Sequence, residues 1–476
     1  MPFEWPARPP LPPKFLQQLS TDEYLPLPYT SSTVRALQRL RKTGEDAAPR
    51  VGLSFGDYMA SRLGTAAGLR ALNQEAGDIF YDVKPEAEYD MEAAAECFRG
   101  DYPVIDIQTH YVADRPYARD TYTRAMLETY PTLMPSWFRG LDDLTSLTLA
   151  DYIRCVFLET ETAAAVLTAP PGQGPYAILT NEEMAATRFL IEELGGRGRL
   201  LNHAIVHPDA PGELERMEGW RDRCGPIGWK VYTHGHLGET FVPHGTNWML
   251  DDERTGIPFC ERARELGVTN ICAHKGLTYV VDTGSPSDLG PAAANFPDLN
   301  FVAYHSGYEF SVPFGDSPPH PPEGPYTEDT ADIGVNRMVT TVRSVGLAPG
   351  SNVYAELGTT WFCLVRHPDQ AAHVLGKLLV AYGEDNILWG SDSIWYGATQ
   401  QVLDAFRAFQ IPLEFRQRYG YPELTLEIKE KILSRNTARL YGMDLESIRA
   451  NAQSDDLAWA RHVIAHYDKA GTPTLG

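Results

Sequence analysis

The sequence is sparing with cysteine, has no long apolar run and carries no excess of positive charge. Its six cysteines are Cys97, Cys155, Cys224, Cys260, Cys272 and Cys363, and none form a CxxC pair. That spacing excludes a disulfide scaffold and a structural zinc site of the cysteine type. Free, mostly buried thiols in a reducing compartment are expected, and with them a cytoplasmic protein. No stretch reaches the roughly 18 uninterrupted apolar residues of a membrane span. The opening "MPFEWPARPPLPPKF" lacks the apolar segment of a secretory signal and reads as extended, proline-rich chain. Lysine and arginine total 41 against 63 aspartates and glutamates, for a formal charge of −22. Such a surface repels phosphate backbones and anionic lipid, which argues against nucleic-acid or membrane-surface partners. A small anionic substrate is still allowed, because local charge at a site can oppose the global field.

What is present is a change of texture near residue 100. Residues 1–100 read as a helical and irregular extension, a covering or oligomerisation element. Its clearest helices are "SFGDYMASRLGTAAGLRALNQEAG" and "AEYDMEAAAECF". Residues 101–445 alternate short apolar runs with amphipathic stretches. The runs are "VIDIQTH" (104–110), "AAAVLTAP" (163–169), "LLNHAIVHP" (200–208), "GWKVYTHG" (228–235), "NICAHKG" (270–276), "NFVAYHSG" (300–307), "NVYAELGTT" (352–360) and "NILWGSD" (386–392). Eight Val-, Ile- and Ala-rich runs separated by helices are parallel βα units, and eight of them predict a closed (β/α)8 TIM barrel. No G-x-G-x-x-G follows the first run, which weakens an open dinucleotide-binding sheet. Residues 446–476 read as one amphipathic helical tail. Three connections, 113–145, 235–256 and 308–327, are too long for simple loops and are rich in Tyr, Phe, Trp and Pro. All three follow a strand's C-terminal end, so they predict a large, partly apolar substrate pocket.

The polar residues that end the runs carry the chemistry. His110 ends the first, His274 the fifth and His305 the sixth, and Asp392 follows the eighth. In a barrel these positions converge on one mouth. Imidazoles and a carboxylate converging there are a ligand set for zinc, iron, manganese or cobalt. An open coordination position would hold a water of lowered pKa. Gln108 lies two residues before His110, so on a strand both face the same way.

With its D-x-Q-x-H first strand, the histidines of strands five and six, "LWGSDSIW" on strand eight and the closing "ILSRNTARLYGM", the sequence resembles the amidohydrolase superfamily. The likeness lies with the amidohydrolase-related branch of aminocarboxymuconate-semialdehyde decarboxylase, γ-resorcylate decarboxylase and lactone hydrolases, over roughly residues 103–443. The resemblance implies His110, His274 and Asp392 as ligands of one metal, with Gln108 in the position usually held by histidine or glutamate. A glutamine there either coordinates through its oxygen, the reading adopted, or orients substrate while water takes the coordination site. By the same resemblance His305 is the acid–base residue. Lys230 matches the lysine that, carboxylated, bridges two metals in binuclear members. Glu356 matches a frequent acidic position that serves as a neighbour of the site or a ligand of a second metal. One or two divalent ions (zinc, iron or manganese) are therefore expected, and a homodimer.

Trp361, Trp395, Tyr396 and His234 are expected in the pocket wall, and His203 and His207 in pocket or core. The expected function is a hydrolase in which metal-activated water attacks an amide, ester, lactone or thioester of a bulky, partly apolar acid derivative. Asp392 or His305 would take the water proton, and Lys230 would help hold the oxyanion. The long form of the chain is similar to a thioester hydrolase subgroup acting on terpenoid acyl groups. The alternatives are a non-oxidative decarboxylase, for which no arginine cluster stands near the strand ends, and a non-catalytic barrel that has lost its metal.

Overall fold

The computed structural model describes residues 11–19, 29–116, 118, 147–233, 235–237, 243–244, 247–277, 282–310 and 320–470. Each of the eight apolar runs contains a strand: β1 Val104–Thr109, β2 Thr162–Leu167, β3 Leu200–Asn202 continued by Ala204–Ile205, β4 Trp229–Tyr232, β5 Asn270–His274, β6 Asn300–Tyr304, β7 Val353–Glu356 and β8 Ile387–Leu388. All neighbouring pairs are parallel, from β1–β2 round to β7–β8. The third strand changes partner at His203. Leu200–Asn202 pairs with β2, and Ala204–Ile205 pairs with β4. The ring closes between β8 and β1, where Ile107 N donates to Trp389 O at 3.1 Å and Asp392 N donates to Gln108 O at 2.9 Å. The molecule is thus a (β/α)8 barrel.

The strands are buried on both faces, as a parallel sheet jacketed by helices requires. Ile107, Val166, Cys272, Val302, Tyr304 and Leu388 form one buried cluster drawn from β1, β2, β5, β6 and β8, the inside of the ring. His203 belongs to this interior. Its Nε2 meets Tyr441 Oη at 3.0 Å, and burial pushes its imidazole down to about 3, so it packs as a neutral core ring.

The extension contains the two expected helical stretches, as Phe55–Ala60 with Arg62–Ala76 and as Met91–Cys97, and a third, Ser31–Arg50, that the apolar spacing did not suggest. It packs on the outer helices Pro368–Tyr382 and Gln400–Ala408. Tyr81 Oη donates to Val365 O at 2.5 Å, and Gln401 Nε2 donates to Met59 O at 3.0 Å.

The tail is two helices, Leu445–Ser454 and Asp456–Ala470, not one. The break is at Asp455, whose carboxylate caps Ala458 N at 2.7 Å and grips the fully buried Arg199 at 3.0 and 3.1 Å. Most of the 113–145 connection lies outside the described residues, as do parts of the other two long ones. Among the described residues no helix is long and apolar enough to cross a membrane. The six cysteines are free thiols.

Candidate active site

The C-terminal ends of the strands gather the buried polar residues. His110 follows β1, His274 ends β5, His305 follows β6, Glu356 ends β7, and Asp392 stands four residues past β8. All five are at most 4 % exposed. The backbone bends sharply there. Among the described residues five non-glycine residues take a left-handed conformation: Leu277, His305, Ser306, Thr359 and Asp392. Every one lies within a few residues of a strand end, where such strain persists only if surrounding bonds over-determine it.

Those bonds are visible. His110 Nδ1 faces Thr168 O at 2.8 Å. A carbonyl only accepts, so Nδ1 carries hydrogen and Nε2 is turned toward Asp392 Oδ1, 3.1 Å away. His305 repeats the device. Its Nδ1 donates to Gly358 O at 2.9 Å, and its Nε2 lies 3.4 Å from the Gln108 amide nitrogen. That same amide donates to Asp392 Oδ1 at 3.0 Å. Thr359 Oγ1 donates to Asp392 Oδ2 and meets Tyr396 Oη at 2.9 Å. Gln108 Oε1 is buried without a hydrogen-bond partner among the described residues.

Burial opposes ionisation of Asp392. The bond to His110, the nearby His305 and the Thr359 hydroxyl outweigh it and hold the carboxyl below its ordinary value. Burial, with the charge of Lys230, pushes His305 down to about 4. At neutral pH the site therefore holds an ionised Asp392 and a neutral His305.

The remaining expected residues take distinct places. The ring of His274 meets that of His305 edge-on at 4.6 Å and stacks on Tyr232 at 5.0 Å. Lys230 Nζ lies 3.8 Å from the Tyr304 ring and 4.6 Å from the Tyr232 ring. Glu356 faces the backbone, with Gly358 N and His305 N donating to its two oxygens. Burial raises that carboxyl to about 8. Trp395 stacks on His110 at 5.6 Å, and Tyr396 stacks on Phe362 at 3.9 Å. Trp361 is not brought to the strand ends. Its ring packs on Phe406 and Phe409, and its Nε1 donates to Val402 O, because the helix Thr360–Leu364 turns this side chain outward onto Gln400–Ala408. His207 Nε2 bonds Gly172 O at 3.0 Å. His234 lies outside the described residues.

Three contributors were missed. Thr359 lies in a loop and gave no sign in the sequence. Asp106 accepts from Gln108 N and Ser391 N at 3.2 and 2.9 Å, tying β1 to the eighth strand end. Lys275, adjacent to His274, pairs with Asp288 at 2.6 Å and bonds Thr233 Oγ1 at 3.0 Å, fastening the loops that follow β4 and β5.

Among the described residues no three His, Cys, Asp or Glu side chains form a ready group for a metal ion. What stands there is the His110–Asp392 pair with the amide of Gln108. The donor chemistry fits a cation nonetheless. Two imidazoles are pinned through Nδ1 so that Nε2 points inward, an ionised carboxylate stands between them, and one amide oxygen has no partner.

A family model described as amidohydrolase matches residues 156–443, more than half of the chain. The chain belongs to the amidohydrolase family. The matched span begins after β1, so Gln108 and His110 lie outside it and reach the other strand ends through closure of the barrel. No curated protein matches the sequence. Solved structures that this amidohydrolase resembles include an uncharacterised TIM-barrel protein from Bordetella bronchiseptica, at 14% identity and a TM-score of 0.42, with 74% of this chain and 100% of that one covered. A 2,6-dihydroxybenzoate decarboxylase from Rhizobium stands at 14% identity and a TM-score of 0.41, with 72% and 99% covered. A 5-carboxyvanillate decarboxylase from Novosphingobium aromaticivorans, in complex with manganese, stands at 14% identity and a TM-score of 0.45, with 72% and 97% covered.

Proposed function

We propose that the chain is a metal-dependent hydrolase of a bulky, partly apolar carboxylic-acid derivative. The observation that supports this best is the facing of His110 Nε2 and Asp392 Oδ1 with Nδ1 already committed to Thr168 O. His110, His274 and Asp392 would hold a divalent ion, with the Gln108 amide beside it. Such an ion would supply Lewis acidity toward a carbonyl oxygen and make water a stronger acid.

The chain's own groups suit the rest of the reaction. Asp392 is ionised and His305 is neutral, so each can accept the proton of an attacking water. His305 is fixed in orientation by Gly358 O, and once protonated it can pass that proton to the leaving group. Lys230 is buried on the faces of Tyr304 and Tyr232, a cation suited to an oxyanion or to a carboxylate of the substrate. Trp395 and Tyr396 give the mouth an apolar wall.

A second reading is non-oxidative decarboxylation. It needs a proton for carbon, and Glu356, raised to about 8, retains one at neutral pH beside the His305 backbone. Product analysis separates the two. Incubation with panels of lactones, thioesters and hydroxybenzoates should release acid without carbon dioxide. Release of carbon dioxide from a hydroxybenzoate, with no turnover of acyl substrates, would replace the first reading by the second.

A further inference from the structure

The opposite face of the barrel holds a second collection of cations. Residues just before β1, the end of the extension and the tail helices enclose a cavity of about 480 Å³ there. Arg407, Arg449 and Arg461 line it, with the carboxylates Asp101 and Glu161 and with Gly100 and Tyr102. Glu161 is already shared by Arg62 and Arg407, Asp101 pairs with Arg99 at 3.0 Å, and Arg407 also lies 3.7 Å from Asp404. Neither Arg449 nor Arg461 has a carboxylate within ion-pair distance among the described residues. Arg449 Nη2 donates to Asp101 O at 2.9 Å, and Arg461 donates to the carbonyls of Phe157 and Thr160. These bonds orient the guanidinium groups without neutralising them.

Arg407 adds an unmet donor. It is 5 % exposed, and its Nε is buried without a partner among the described residues. A Cβ on Gly100 would stand 2.9 Å from that Nε, so only a residue without a side chain leaves this edge of the guanidinium bare beside the cavity. Burial and the neighbouring Arg199 work against the charge on Arg461, outweighing the support of Glu161 and Asp455. A chain of net charge −22 thus sets Arg449 and Arg461, two guanidinium groups with no carboxylate within ion-pair distance among the described residues, on one hollow with the ion-paired Arg407. Partly buried charge without a counterion is costly, and an anion removes that cost. The wider groove alongside, about 790 Å³, shares Gly100, Asp101, Tyr102 and Arg407 and sets Asp82, Glu96, Asp101, Glu427 and Glu430 against its basic residues, whereas the smaller hollow has three arginines against Asp101 and Glu161.

We propose that this cavity binds a phosphoryl dianion, with Arg407, Arg449 and Arg461 as its donors. Several guanidinium forks around one hollow suit a tetrahedral dianion, which can engage more than one fork at once. The volume exceeds that of free phosphate, so a phosphate monoester fills it better.

The test uses the full-length chain. Calorimetric titration with inorganic phosphate and with glycerol 2-phosphate at matched ionic strength should give a saturable isotherm, accompanied by a rise in melting temperature that potassium chloride does not reproduce. R449Q and R461Q should each weaken binding at least tenfold. R223Q, which removes an exposed arginine elsewhere, should not change it. D392A should bind as the parent does, which separates this cavity from the strand-end site. If a substituted chain fails to fold, the parent isotherm still decides. Absence of saturable binding by both phosphates overturns the proposal, as does binding that D392A abolishes, or binding of succinate in place of either phosphate.

Discussion

His110 Nε2 lies 3.1 Å from Asp392 Oδ1 while His110 Nδ1 is held by Thr168 O at 2.8 Å. With Nδ1 so anchored, Nε2 and the Asp392 carboxylate converge on one point, the arrangement two ligands of a shared cation would take. Metal-replete protein should therefore carry a stoichiometric divalent ion by elemental analysis. D392A and H110A should lower its affinity by about 100-fold or more, since losing a ligand costs more than the roughly 10–100-fold typical of losing an orienting partner. Chelator treatment should abolish turnover, and the added ion should restore it. Full occupancy in D392A would remove the carboxylate from the ligand set.

Thr359 is the orienting partner. Its hydroxyl donates to Asp392 Oδ2 and is in turn bonded to Tyr396 at 2.9 Å. T359V keeps the branched shape and deletes the donor. Metal affinity should fall by roughly 10–100-fold with the fold intact. Competition against a coloured chelator measures this directly, and an unchanged affinity would make Thr359 a packing residue only.

The barrel was legible because parallel strands buried on both faces read as bare apolar runs, and all eight runs contain strands. The gathering of His110, His274, His305 and Asp392 at the strand ends was legible for a related reason. A polar side chain directly after such a run is where a barrel opens to its site. The residues that position them were not legible. Thr359 acts through a left-handed loop residue that no periodicity marks. Trp361 was misplaced because an aromatic beyond a strand can turn outward as easily as inward, and the helix Thr360–Leu364 decides which. The tail was read as one helix because its apolar spacing continues through Asp455, whose tertiary partner Arg199 lies 256 residues earlier. Ser31–Arg50 was overlooked because its surface is dominated by charged and small residues, and its cap, Thr30 on Thr33 N, is a weak signal alone.

Gly390 and Glu356 make the close approach that lets β8 lie beside the Glu356 carboxyl. A Cβ at position 390 would stand 1.8 Å from Glu356 Oε1 and 3.0 Å from Gln108 Cβ. G390A should cost about 1–3 kcal/mol, the range for overpacking a core. It should also disturb His305, whose backbone N–H is held by Glu356. Denaturant unfolding together with kcat reads both effects, and a neutral substitution would show that β8 has room to shift.

Acid should weaken the fold before it titrates ordinary carboxylates. Burial, with Lys377 and Arg418 nearby, pushes His373 down to about 4, and burial likewise pushes His367 down to about 4. In the unfolded chain each imidazole takes its proton near pH 6.5. The unfolded state therefore binds more protons between about pH 6.5 and 4, and stability is lost as pH falls through that window and unaffected by these groups above it. The melting temperature should drop across this range. H373Q should flatten part of the drop, and an identical pH profile for H373Q would locate the sensitivity elsewhere.

Arg199 and Asp455 pin the tail to the barrel with almost no exposure on either side chain, 0% and 5%. Arg199 also donates to Ala163 O and Thr162 O at 2.7 and 3.0 Å, so it fastens the start of β2 as well as the helix break. Removing Asp455 leaves a guanidinium buried without its counterion, a change that costs about 3–5 kcal/mol in comparable pairs. D455A should therefore lower the denaturation midpoint strongly, whereas D455N, which keeps the cap on Ala458 N, should fall between D455A and the parent. Equal stability of all three chains would mean that the tail is held by its apolar contacts alone, and the charge pair would then serve only to set where the two helices part.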